Sequence, residues 1–267
     1  MLRVDRSSFL LNPLFFIEVS RILLGLSKLV TTKPFSLRSP EADFCDRFGL
    51  SPFLLELKVS RVLSDSKISP ASLFVVAREK RFVKSILRLE NRVLSGAVDF
   101  RKGREKLIEL EGRLFGYPEC CVKAYVRSKS DFPLETRLIL ECFELGTFET
   151  LTDALKKSEP RLFPQFFTLN FYPCRVDCRR AARVGLRIEK NLEDFGSAFK
   201  LRTMLNVLYL LRIAYKSSFY EGSLSRTARE FFKREKELLE TMKAIADLDY
   251  EDFSNNFIRR ALLGFRD

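Results

Sequence analysis

The sequence predicts an α+β protein that is predominantly helical and has a small sheet of about three strands. Apolar residues recur at helical spacing over most of the chain, and only three short segments have the branched apolar content of strands. Hydrophobic residues make up 46% of the 267 residues and charged residues 31%, so the chain can bury a substantial core.

The amino-terminal segments predict two helices. Residues 10–30 are expected to form one amphipathic helix, with Pro13 in its first turn, where proline is tolerated. The sequence SPE that begins at Ser39 predicts a second helix, because serine is a good capping residue and proline suits the first helical position. Gly49 predicts the end of this helix.

Two strands and then three helices are expected as far as residue 127. The predicted strands are residues 53–59 and 73–77, and the predicted helices are residues 82–93, 99–115 and 118–127. Asp99 is the expected cap of the middle helix, and Pro118 is expected at the first helical position of the last one.

The remainder is predicted to be almost entirely helical. Residues 134–145 form one predicted helix, and residues 166–171 form the third predicted strand. From Arg179 the pattern is helical to the carboxyl terminus. We expect one α+β domain over residues 1–222, with residues 223–267 as a helical extension packed on it.

The chain contains no histidine, and this excludes several kinds of site. A Ser-His-Asp triad, a Cys-His dyad and an imidazole metal ligand are all impossible within it. A site for a soft metal must therefore be built mainly from cysteine thiolates. No motif assigns a reaction or a catalytic residue, and whether the protein is an enzyme stays open.

Four of the six cysteines occur in two similar motifs. GYPECC begins at Gly116, FYPCRVDC begins at Phe171, and each places its first cysteine within two residues after a proline and at an expected helix start. The free amide groups and the positive dipole end of a helix start favour a thiolate. The four motif cysteines are Cys120, Cys121, Cys174 and Cys178.

These thiols predict a metal site. Cys174 and Cys178 would lie on one face of a helix, as two ligands of one ion require. Three or four thiolates suit zinc or an iron–sulfur cluster. Two other interpretations stay open, which are a thiol–disulfide redox pair and simple core packing. Cys45 and Cys142 are interpreted as packing residues.

The net charge of +12 indicates a possible anionic partner such as nucleic acid. Residues 78–106 carry a net charge of +6 and residues 173–190 a net charge of +4, whereas residues 131–160 carry −4. A solvated, salt-bridged surface would give the same pattern. The candidate nucleic-acid-binding residues are Arg78, Lys80, Arg81, Lys84, Arg175, Arg179 and Arg180.

The apolar amino-terminal run does not predict a membrane span. The uncharged stretch from Ser7 to Ile17 is too short to cross a bilayer, and Glu18 and Arg21 interrupt the apolar residues after it. We therefore expect no membrane association and a cytoplasmic protein.

With GYPECC and FYPCRVDC, and with LLGLSK and LFVVA earlier in the chain, the sequence resembles an archaeal family, the domain of unknown function 483. The resemblance implies that the four motif cysteines are the distinguishing positions of the family and that the source is archaeal. It implies no catalytic role. A single glutamine together with abundant lysine, arginine and glutamate is also typical of hyperthermophiles.

Overall fold

The computed structural model describes residues 11–57, 59, 71–128, 134–168, 171–192, 195–219, 222–249, 252–254 and 256–258. The chain forms two compact units, residues 1–130 and 131–267. As predicted, the described residues are mostly helical and include a small three-stranded sheet. The predicted division at residue 222 stays a prediction.

In its described residues, the first unit combines the sheet with five helices. Its elements are α1 (Pro13–Leu23), β1 (Leu29–Thr31), α2 (Pro40–Arg47), β2 (Ser51–Leu57), β3 (Ala71–Ala77), α3 (Lys80–Leu94), α4 (Phe100–Leu114) and α5 (Glu119–Arg127). The strand order is β1-β3-β2, and both pairs are antiparallel. Leu55, Val75 and Ile86 are at most 1% exposed and lie in the core between the sheet and the helices.

The prediction of one helix over residues 10–30 is wrong. Helix α1 ends at Leu23, and Gly25 adopts a positive φ of 68°, which reverses the chain. Leu29 and Val30 are fully buried because they pair with β3 instead. Burial on both sides of a strand gives the same apolar run as a helix, so periodicity could not separate the two. Leu10 lies outside the described residues.

Most other predictions for this unit are confirmed, although β2 begins and ends two residues before the predicted strand over residues 53–59. The Ser39 side chain accepts from the Ala42 amide at the start of α2, and Gly49 follows its end at a φ of 62°. The Asp99 side chain caps α4 by accepting from the Lys102 amide at 3.0 Å.

The second unit contains only helices and turns among its described residues. Its elements are α6 (Leu134–Glu144), α7 (Thr147–Lys156), a 3-10 turn (Pro164–Phe166), α8 (Arg179–Asn191), α9 (Gly196–Ser217), α10 (Ser223–Arg234) and α11 (Lys236–Ile245). Residues 252–254 and 256–258 are also helical. Helix α9 is buried nearly all round, as its apolar sequence predicts.

The predicted strand over residues 166–171 is wrong where the structure describes it. Phe166 ends the 3-10 turn, Phe171 lies in irregular backbone, and Leu169 and Asn170 lie outside the described residues. Side chains of α9 satisfy this backbone in place of a neighbouring strand. The Asn206 amide donates to the Phe166 carbonyl at 2.6 Å, and the Thr203 hydroxyl accepts from the Phe163 amide at 3.1 Å.

Two further boundaries differ from the sequence prediction. Helix α7 was not predicted. The helical pattern expected after Arg179 is interrupted at Glu235, whose φ and ψ are −100° and 67°. In the part of the chain that the structure describes, no helix has both the length and the apolar content needed to cross a membrane.

Candidate metal centre

The first cysteine pair lies in the first turn of α5. Pro118 is the residue that caps this helix, one position before the expected one, and its carbonyl accepts from the Cys121 amide at 2.9 Å. Cys120 is half-buried and Cys121 is 2% exposed. Their Sγ atoms lie 3.8 Å apart. Side chains of adjacent residues on an ideal helix point about 100° apart, but the sulfurs of Cys120 and Cys121 still lie close together at the start of α5.

Polar contacts among buried groups fix the turn that leads into α5. The guanidinium of Arg21, 1% exposed, forms an ion pair with Glu18 at 2.6 Å and donates to the Phe115 carbonyl. It also lies over the ring of Tyr117, 5.8 Å from the centroid. Gly116 between them has a φ of 74°, and a Cβ there would lie 2.0 Å from the carbonyl oxygen of Leu26. The turn before the first cysteine pair is therefore tightly specified.

The second cysteine pair lies on a turn rather than on a helix. The prediction that Cys174 and Cys178 share one helical face is wrong, because α8 begins only at Arg179 and Cys178 caps it. The Cys178 amide donates to the Arg175 carbonyl at 3.1 Å, which closes a turn. The turn brings the two Sγ atoms to 3.5 Å.

Helix α6 holds this turn in place through two side chains. Arg137 donates to the Cys174 carbonyl, and Glu141 accepts from the Val176 amide at 2.9 Å. The two side chains also form an ion pair at 3.6 Å. Val176 is 4% exposed, so its amide requires a partner inside the protein. These contacts have no signal in the sequence, because Arg and Glu four residues apart on a helix most often pair only with each other.

The sulfurs of all four motif cysteines lie close together. Their Sγ atoms fall within 4.8 Å of one another. Such a group could hold a metal ion, and the coarse prediction of a cysteine metal site is supported. The ligand group comprises Cys120, Cys121, Cys174 and Cys178.

The two carboxylates within the motifs are not part of this group. Glu119 is exposed and pairs with Lys123 at 2.5 Å, and Asp177 is exposed and pairs with Arg175 at 3.0 Å. Both are engaged by neighbouring cations.

A family model described as a protein of unknown function, DUF483, matches residues 47–206, more than half of the chain. The chain belongs to this family. The DUF483 region contains the four motif cysteines, and LLGLSK lies before it. No curated protein and no solved structure matches the chain. The predicted archaeal source stays a prediction.

The two remaining cysteines are packing residues, as predicted. Cys45, just before the DUF483 region, is 1% exposed, and Cys142, within it, is fully buried. Burial, with Asp46 and Glu41 nearby, raises the pKa of Cys45 to about 12. Burial, with the neighbouring Glu141, also raises the pKa of Cys142. Burial therefore favours the neutral thiol at both positions, as packing in an apolar core does.

The candidate nucleic-acid-binding residues are exposed in both units of the DUF483 protein. Arg78, Lys80, Arg81 and Lys84 lie at the end of β3 and on α3. Arg175 lies in the turn before α8, and Arg179 and Arg180 lie at the start of α8. Two of them have partners, since Arg81 pairs with Glu79 at 2.6 Å and Arg175 pairs with Asp177. Three further exposed basic residues of α8 extend the second group, which are Arg183, Arg187 and Lys190.

Proposed function

We propose that the protein binds one metal ion, most suitably Zn²⁺, through its four motif cysteines. The observation that supports this proposal most strongly is the 4.8 Å limit on every distance between their Sγ atoms. Four thiolates this close together would repel one another, and a shared cation removes that repulsion. Thiolate ligands select zinc or iron among the common divalent metals.

The distances favour a single tetrahedral ion. Two sulfurs bound at about 2.3 Å to one tetrahedral ion lie about 3.8 Å apart. The Cys120–Cys121 distance is 3.8 Å and the Cys174–Cys178 distance is 3.5 Å. The two distances that join cysteines of the same motif therefore suit tetrahedral coordination of one ion.

An iron–sulfur cluster fits this arrangement less well. A cubane cluster assigns each thiolate to a different iron, and the thiolates point outward from the cluster core. Their sulfurs must then be farther apart than sulfurs that share one ion, and the 4.8 Å limit leaves little room for this. Of the two kinds of site that the sequence predicts, a zinc ion or an iron–sulfur cluster, we therefore propose the single ion.

A site with four protein thiolates is closed. Catalytic zinc sites keep one position for water or substrate, whereas four cysteines leave none. The ion would therefore stabilise the fold rather than act on a substrate. The ligand group also carries a large negative charge, and Arg137 at the Cys174 carbonyl is a nearby cation that offsets part of it.

Thiol–disulfide exchange is the second candidate function. The 3.5 Å separation of the Cys174 and Cys178 sulfurs leaves only a short movement to a disulfide bond of about 2.05 Å. Exchange needs two thiols, however, whereas the cluster brings four together. The metal proposal explains all four positions, and the redox proposal explains two.

Cobalt titration tests the proposal, because Co²⁺ reports its coordination geometry in the visible spectrum. The reduced, metal-free protein is titrated with Co²⁺ under anaerobic conditions. We expect intense tetrahedral bands and sulfur-to-cobalt charge transfer that saturate at one equivalent and disappear when Zn²⁺ displaces the cobalt. A weak octahedral spectrum, or no saturation at one equivalent, would rule out the proposed site.

Glu141 is predicted to position the second cysteine pair. Glu141→Ala removes the acceptor of the buried Val176 amide and should weaken metal binding by about tenfold or more, as losses around metal ligands typically do. Glu141→Gln keeps an acceptor and should retain most of the affinity. Glu144→Ala is the matched control, because Glu144 is exposed on the same helix. Competition against a chromogenic chelator measures all three variants, and equal affinities for Glu141→Ala and Glu144→Ala would refute the role.

A further inference from the structure

The exposed side of α8 carries an uninterrupted row of positive charge. The α8 basic face consists of Arg179, Arg180, Arg183, Arg187 and Lys190. At about 100° per residue, these side chains fall within roughly 100° of arc around the helix. The opposite side contains Ala181, Gly185 and Ile188, which are buried. The helix is thus held by one face and presents the other to solvent.

The charges of this face have no acidic partners among the described residues. Every ion pair that the structure records for α8 involves Glu189, which binds Lys200 of α9 at 3.5 Å. The only acidic residue of the helix is therefore engaged elsewhere. A row of like charges without counter-charges is unfavourable in isolation and favours an anionic partner.

We propose that the α8 basic face binds the phosphate backbone of nucleic acid. Arg179 and Lys190 are separated by eleven residues of helix, or about 16 Å, which spans about five phosphates of one strand. Four of the five residues are arginine, whose guanidinium can bind a phosphate through two parallel hydrogen bonds.

Two other classes of partner fit this face less well. A membrane-binding helix inserts an apolar face into the lipid, but the apolar face of α8 is buried in the protein. On the described surface of α8, Leu186 is the exposed large apolar residue, and one such residue is too little for membrane insertion. Protein interfaces rely on aromatic anchors, and the sequence of α8 contains no aromatic residue. The face therefore suits recognition of charge without apolar burial.

Helix α3 carries a comparable row at Lys80, Lys84, Arg88 and Arg92, all exposed. The start of that helix is less positive, because Glu79 pairs with Arg81 at 2.6 Å. The start of α8 is more strongly charged, since Arg179 and Arg180 add to the positive end of the helix dipole. The proposal is therefore made for α8, and it does not depend on metal binding.

Fluorescence anisotropy with labelled random-sequence duplex RNA and duplex DNA tests this proposal on the full chain. The variant Arg183→Glu, Arg187→Glu, Lys190→Glu reverses three charges of the face. The matched control, Arg226→Glu, Lys233→Glu, Lys236→Glu, makes the same charge change at exposed positions of α10 and α11, where glutamates are interspersed. Circular dichroism melting checks that both variants fold.

We expect the wild type to bind at least one of the two duplexes with a strong dependence on salt. The α8 variant should bind on the order of 100-fold more weakly, and its plot of log affinity against log salt should lose a slope of about 3, near 0.9 per phosphate contact. The control should bind within a few-fold of wild type. Equal losses in both variants would show that net charge alone is responsible and overturn the proposal. Tighter binding to phosphatidylserine vesicles or to polyglutamate than to either duplex would also overturn it.

Discussion

Replacing Cys174 and Cys178 together with serine is expected to abolish high-affinity metal binding and the stability that depends on it. The two sulfurs supply half of the proposed ligand group, and the hydroxyl of serine is a poor ligand for zinc at neutral pH. An ion present at 1,000 times its dissociation constant stabilises the folded state by about 4 kcal/mol, or roughly 10 °C in Tm for a chain of this size. The wild type should therefore lose about this much stability when a strong chelator is added, and the variant should lose none.

Cys45→Ala and Cys142→Ala provide the matched control for this experiment. Both thiols are buried at 1% exposure or less and lie outside the ligand group, so their removal costs packing energy without affecting the ion. Each control should melt at a lower temperature than the wild type and still respond to the chelator. A chelator response that survives in the Cys174→Ser, Cys178→Ser variant would show that the stabilising ion binds elsewhere.

Gly116→Ala is expected to be the most damaging single substitution in the turn before α5. An alanine there must adopt a φ of 74°, and its Cβ would lie 2.0 Å from the Leu26 carbonyl oxygen. Backbone strain and overpacking together should lower the free energy of unfolding by about 3 kcal/mol or more. Because the turn leads directly to Cys120, the affinity for metal should fall as well.

Gly25→Ala separates the two causes. Gly25 has a similar φ of 68°, but no atom lies within 4 Å of where its Cβ would be. The Gly25→Ala variant should therefore lose only about 1 kcal/mol of its free energy of unfolding, because of the positive φ alone, and it should keep its affinity for metal. Chemical denaturation and chelator competition on the two variants measure the difference. Equal losses of stability in both would mean that the close approach to Leu26 has no energetic role.

Much of the fold could be predicted because local chemistry dictated it. Ser39 and Asp99 cap their helices through side-chain oxygens, and Gly49 ends a helix at a positive φ, so short-range rules were sufficient. The failures involve tertiary contacts. Residues 29–31 form a strand because β3 lies beside them, and residues 164–166 form a 3-10 turn because α9 side chains bind their backbone.

The sequence singled out the four motif cysteines but did not predict their arrangement. The lack of histidine and the two Pro-Cys motifs were enough to single out the four thiols. The arrangement of Cys174 and Cys178 was not predictable, because the turn depends on Arg137 and Glu141 of α6, more than thirty residues away in the chain. Likewise, Arg21 lies 94 residues before the Phe115 carbonyl to which it donates. Long-range polar contacts of this kind leave no periodic signal in the sequence.

The metal content of the native protein, purified without added metal under anaerobic conditions, tests the central proposal most directly. Elemental analysis and a sulfide assay are applied to the wild type and to the variant in which all four motif cysteines are serine. The proposal predicts one ion per chain, zinc rather than iron, no inorganic sulfide, and loss of the ion in the variant. Several irons per chain with matching sulfide would indicate a cluster in place of a single ion. A wild type without metal that takes up none when zinc is supplied would contradict the proposal outright.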